Sequence, residues 1–134
     1  MDREKILSAI SSAIGYLENS SKLFSHKKEA ETYNMVWRAS SDVEYSLFLF
    51  SLLHPNEAES FSLKHESSSK QMEIRPTLTS ALSMLEEARS CVENDDFAKA
   101  HEKTWKARVY LFKVQKFFEK QRKIGVERSS TPRS

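Results

Sequence analysis

Laid against itself with an offset of 68 positions and no gaps, the chain repeats its own pattern. Ile6 falls on Ile74, Ala13 on Ala81, Leu17 on Leu85 and Glu18 on Glu86. Further along, Ala30 falls on Ala98, Trp37 on Trp105, Ala39 on Ala107 and Phe50 on Phe118, with Ile10/Leu78, Ile14/Leu82 and Val43/Leu111 as conservative matches. Within each half the apolar residues recur at three- and four-residue steps, which places them on one face of a helix. Helices with one apolar face need partners, and two hairpins of such helices can close a common core. The pattern therefore predicts an all-α fold, an antiparallel four-helix bundle built from two helical hairpins. Two amphipathic hairpins can share a stripe of Ala and Leu without common descent, but the paired tryptophans favour internal duplication.

Composition supports the helical reading. Two Gly and three Pro in 134 residues are too few for an all-β chain, which needs turn residues every few positions. One Cys excludes a disulfide framework and a thiolate metal site, and it suits a reducing compartment. No apolar run reaches the ~20 residues of a membrane span, and Asp2, Arg3, Glu4 and Lys5 do not open a secretory signal. A cytoplasmic protein without membrane contact is the resulting expectation.

The elements follow from caps and breakers. A first helix runs from Asp2 to about Phe24, and Ser25 can cap a second that reaches about His54, before Pro55. The second helix has the stripe Ala30, Tyr33, Val36, Trp37, Val43, Leu47 and Phe50, and its end, Tyr45 to Leu53, is apolar nearly all round. Such a segment must be covered on every side, by its own bundle or by a second subunit. Residues 55–75 read as a linker, mobile or folded as a short helix against the bundle. Pro76 opens a third helix, Asn94 offers a left-handed C-cap, and Asp95 or Asp96 caps a fourth helix ending near Ile124. Residues 1–124 thus form one domain, with hairpins over about 2–54 and 76–124, and 125–134 read as a disordered tail. Gly15 alone breaks a helix interior, which predicts a close helix crossing there.

The stretch DDFAKAHEKTWKA, Asp95 to Ala107, resembles the start of the second helix of a tetratricopeptide repeat, where an acidic turn and an aromatic precede small Ala positions. The resemblance covers one helix, and no third copy exists to build a solenoid. It implies a helical hairpin of the interaction-module type.

Catalytic constellations are missing from the pattern. His26, His54, His65 and His101 are scattered, and none follows a Glu or Asp by three residues, as di-iron bundles require. No Arg precedes a His at the Arg-x4–6-His spacing of small helical ribonuclease bundles, and no Gly-rich loop exists to hold a phosphate. The expectation is a chain that is not an enzyme and takes no cofactor or metal. His101 reads as a structural histidine, and Cys91 as a small buried hydrophobe.

The remaining signal is charge. Residues 95–134 carry 11 basic and 5 acidic side chains, whereas residues 1–94 carry 10 and 14. On the fourth helix Lys99, Lys103, Lys106, Tyr110, Lys113, Phe117 and Lys120 follow alternating steps of four and three, which puts them on one stripe. This row can meet an acidic protein partner, or hold a nucleic acid with lysines on phosphates and the two aromatics on bases. It is equally consistent with a solvated face whose lysines lie over the bundle. The sequence thus points to a helical module acting through protein–protein contacts, with another protein or with a second copy of itself, and to nucleic-acid binding as the alternative.

Overall fold

A computed structural model describes the backbone of residues 2–53 and 73–130, and the side chains of 3–53 and 73–121. Four helices account for nearly all of it: α1 (Asp2–Ser25), α2 (Glu29–Leu53), α3 (Ile74–Glu93) and α4 (Phe97–Ser130). Helix α1 packs on α2 and α3 on α4, and the two hairpins meet through α1–α3 and α2–α4. Cross-chain contacts give the directions. Arg3, at the start of α1, donates to the Glu93 carbonyl and Asp95 beyond the end of α3, while Arg75, at the start of α3, donates to Ser25 at the end of α1. Tyr33, early in α2, reaches Glu119, late in α4. All four packed pairs are therefore antiparallel, and the order around the bundle is α1, α2, α4, α3. The four-helix architecture is the one the sequence predicts.

The interior is built from the predicted stripes. Ile6, Ile10, Ala13 and Leu17 of α1 are sealed from solvent with Leu78, Ala81, Leu85 and Val92 of α3, and Val36, Ala39, Val43 and Phe50 of α2 join Ala100, Ala107, Leu111 and Val114 of α4. Four buried hydroxyls avoid the cost of a lost hydrogen bond by donating to their own helix. Ser20 donates to the Leu17 carbonyl, Thr32 to Lys28, Ser46 to Asp42 and Thr104 to Ala100, at 2.7–2.9 Å.

The repeat is visible in the backbone as well as in the side chains. In the first hairpin His26 N donates to the Lys22 and Leu23 carbonyls, Lys27 N to Phe24, Lys28 N to Leu23 and Thr32 N to Lys28. In the second, Asn94 N donates to Ser90 and Cys91, Asp95 N to Val92, Asp96 N to Cys91 and Ala100 N to Asp96. Each bond reappears 68 positions later. The ring contacts between the hairpins repeat too: Phe50 stacks on His101 at 5.1 Å, and their counterparts Phe118 and Tyr33 meet edge to face at 5.8 Å. This is the arrangement produced by a twofold axis perpendicular to the helices, passing between α2 and α4.

Several boundaries and faces differ from the sequence expectation. Ser25 belongs to α1, where its hydroxyl donates to the Ser21 carbonyl, so it does not cap α2. The left-handed residue of the second turn is Asp95, not Asn94, whose φ of −97° is ordinary. Asp96 does cap α4, accepting from Lys99 N at 3.3 Å. Helix α3 starts two residues before Pro76, which sits in its first turn, where a missing N–H costs no hydrogen bond. Helix α4 continues through Gly125 to Ser130 rather than ending at Ile124. Gly15 is exposed, with nothing within 4 Å of the place a Cβ would take, so no tight crossing explains it. Ala30 and Trp37 of the α2 stripe are exposed, because at helical spacing they point away from the arc formed by Thr32, Val36, Ala39, Val43 and Phe50, and Cys91 is half-buried. The linker, apart from its last residues 73–75, and the end of the tail, 131–134, lie outside the described residues.

Candidate interaction surface

Helix α2 is apolar on more faces than the bundle covers. Of the run Tyr45–Leu53, Ser46, Leu49 and Phe50 are buried, while Tyr45, Phe48 and Leu52 are 46%, 57% and 59% exposed. Trp37 lies on the same outward side at 48%, held edge to face by Tyr33. The spacing from Trp37 to Leu52 spans four helical turns, or about 22 Å along the axis. Beside this stripe, across the α2–α4 seam, Phe112 is 53% exposed, with the Lys116 ammonium 5.5 Å from its ring centre. The seam is a narrow groove lined by Ser40, Val43 and Glu44 of α2 and Arg108, Leu111 and Phe112 of α4, and Arg108 Nε donates to Glu44 across it. Gln115 completes the lining, and the other six residues are three repeat-related pairs, so the groove lies at the pseudo-twofold axis.

At roughly 150–250 Å² per large side chain, five such residues half in water leave about 500 Å² of apolar area exposed. Exposed Ser41 and Glu44 interrupt this area between Trp37 and Phe48, and in sum it is comparable with the largest patch on an ordinary monomer, a size that is often functional.

The basic stripe predicted on α4 exists as a line but not as an open surface. Lys103 is half-buried and pairs with Glu87 of α3 at 2.7 Å, and Lys106 pairs with Glu102 one turn away at 3.4 Å. The hydrogen bond and charge of Lys103 hold the Glu87 carboxyl below the usual carboxylate range, and Glu87 in turn raises the Lys103 ammonium above the usual lysine range. Tyr110 and Phe117 are partly buried against the core, Phe117 edge to face with Phe118 at 5.9 Å, so neither presents a free ring for stacking. Lys99, Lys113 and Lys120 are exposed and make no ion pair with the described residues. The stripe thus splits into one lysine that ties α4 to α3, one paired within α4, two aromatics packed against the core and three cations open to solvent.

Other features carry less chemistry. An open groove of about 500 Å³ near the first turn is lined by Glu29, Ala30, Tyr33, Asn34, Phe118 and Gln121, with a single carboxylate among them. His101 is 1% exposed and sandwiched in the core against Phe50, a structural position. Among the described residues no three His, Cys, Asp or Glu side chains gather as metal ligands, and no described helix is long and apolar enough to cross a membrane.

Sequence reasoning marked the Tyr45–Leu53 run as needing cover but missed Trp37 and Phe112 as part of an outer face. The signal was present in the repeat: Phe112 falls on Glu44, a surface position. No known family model matches the chain, and no similar functionally described protein or solved structure was found.

Proposed function

We propose that this chain is a helical interaction module that works through protein–protein contacts on its α2–α4 face, and not an enzyme. One observation carries the reading: Trp37, Tyr45, Phe48, Leu52 and Phe112, on the outward side of α2 and α4, are each about half in water. Covering that apolar area is favourable by about 25 cal/mol per Å², which a docked partner would gain. The resemblance of Asp95–Ala107 to a tetratricopeptide helix agrees with a module of this kind.

The test uses a photo-crosslinking phenylalanine analogue, placed in native lysate at Phe48 or, as control, at the exposed Gly15 on α1. Protein adducts at position 48 that are absent at position 15 are the expected result, with a heavier partner or a second copy equally acceptable. Equal or absent adduct formation at the two positions would remove the reading.

A further inference from the structure

The two halves of the repeat have kept one interior and exchanged one exterior. Tyr45, Phe48 and Leu52 of α2 occupy the same register as Lys113, Lys116 and Lys120 of α4. All six are exposed and point away from the core. Since α2 and α4 run antiparallel, these sets lie toward opposite ends of one face. The contacts Phe50–His101, Glu44–Arg108 and Tyr33–Phe118 fix that register. The Glu44–Arg108 pair and Phe112 mark the middle, and Trp37 lies just beyond. On α2 one end of the face, Tyr45 to Leu53, is uncharged, with the paired Glu102 and Lys106 of α4 beside it, and the other end carries three lysines beside two aromatic rings, with Glu119 among them.

We propose that this face takes a single amphipathic helix of another protein, apolar toward the Phe48–Leu52 end and acidic toward the Lys113–Lys120 end. The proposal rests on the interaction-module reading and specifies its partner. Charge complementarity supports this occupant. Across its length α4 holds ten Lys and Arg against three Asp and Glu, so a second copy laid with α2 antiparallel to α2 sets one basic helix against another; the setting that lays α2 on α4 of the other copy avoids this, and the dimer arm of the experiment tests it. A nucleic acid satisfies the three lysines and leaves the Phe48–Leu52 end in water. A helix with carboxylates at one end and Leu, Ile or Phe at helical spacing toward the other satisfies both, and anchors on the exposed aromatics as helix-in-groove ligands do. The acidic end also shortens the search for the site through attraction that salt weakens.

The experiment is selection from a display library of helix-forming peptides of roughly 20 residues, about the length of the face, against the whole folded chain. The expected winners are net acidic and bipartite. Their affinity falls about tenfold in Phe48→Glu and about tenfold in the triple variant Lys113→Glu, Lys116→Glu, Lys120→Glu, and the second loss vanishes at high salt. Winners that are apolar without acidic enrichment, or basic, overturn the partner class while leaving the module intact. An empty selection overturns it as well, and two further measurements then assign the face. A dimer in sedimentation that Phe48→Glu dissolves gives the face to a second copy, and an oligonucleotide whose binding the triple variant abolishes gives the lysines to a polyanion. A strict monomer that binds neither, and forms no adduct at position 48, ends the module reading too.

Discussion

Lys27 and Asp95 hold the same left-handed backbone conformation, with φ of 60° and 61°, at the same point of two hairpin turns 68 positions apart. Lys27 is not Gly, Asn or Asp, the residues that enter this region at least cost, whereas Asp95 is among them. Each is kept there by the hydrogen bonds around it, which tie the end of one helix to the start of the next. Replacing either by Gly relieves roughly 1–2 kcal/mol of steric cost and gives back part of it as entropy of the unfolded chain. Lys27→Gly is expected to stabilise by about 0.5–1 kcal/mol in urea unfolding. Asp95→Gly gains less, because it also gives up the exposed ion pair with Arg3 at 3.3 Å. A loss of stability in Lys27→Gly contradicts the turn geometry.

Gly15 makes the opposite case. It sits in the interior of α1 with open space where a Cβ would go. Gly15→Ala is expected to stabilise by about 0.8–1 kcal/mol, the ordinary helix-propensity gain. Destabilisation of that variant would restore the close crossing that its place in the sequence suggests.

Phe48 and Phe50 are two residues apart and differ in everything that matters to folding. Phe50 is fully buried and stacked on His101, whereas Phe48 is 57% exposed. Phe50→Ala is expected to cost about 3–5 kcal/mol. Phe48→Ala should stay within about 0.5 kcal/mol of the parent chain. Comparable losses from the two would mean that the α2 face is covered within the isolated chain.

Acid should loosen the α3–α4 contact at one place. Glu87 has its pKa lowered by Lys103, so its contribution is present above the ordinary carboxylate range and disappears as pH falls through the depressed folded-state value. Glu87→Gln removes that contribution at neutral pH, and the parent chain and variant converge in strong acid. Lys103, raised above the usual lysine range, loses its share only at the alkaline end. Urea midpoints across pH give both limbs, and curves that stay parallel in acid would show that the pair contributes nothing.

The predicted aromatic members of the basic stripe serve the interior. Tyr110→Ala is expected to lower stability by about 1–3 kcal/mol and to leave the low-salt affinity for a labelled single strand unchanged. A weaker affinity at unchanged stability would return Tyr110 to a stacking role.

The helical periodicity made the fold legible. Ile6, Ile10 and Leu17, and Leu78, Ala81 and Leu85, are apolar on one side only, so their burial follows from spacing. Helix α2 offers no such contrast, since a run that is apolar all round does not say which side the neighbours cover. Trp37 was placed inside because it falls at helical spacing on the α2 stripe, and the structure turns it outward. The turn was misread by one residue because Asn94 is the better left-handed former, and the hydrogen-bond pattern overrules propensity in favour of Asp95. The stripe on α4 was legible as a line, but its partners on α3 are not neighbours in sequence. Glu87 lies on another helix, and only the antiparallel packing brings it to Lys103.

The shared turns and paired core positions have a consequence for how such a chain can change. Val36 and Thr104, Ser46 and Val114, or Thr32 and Ala100 fill equivalent places with different chemistry, yet all are sealed from water. The scaffold is specified twice over, so its rims are free to drift. Tyr45, Phe48 and Leu52 on one rim and Lys113, Lys116 and Lys120 on the other stand at equivalent places of the frame with opposite chemistry. In such a molecule the residues that break the repeat are better guides to specificity than the residues that keep it.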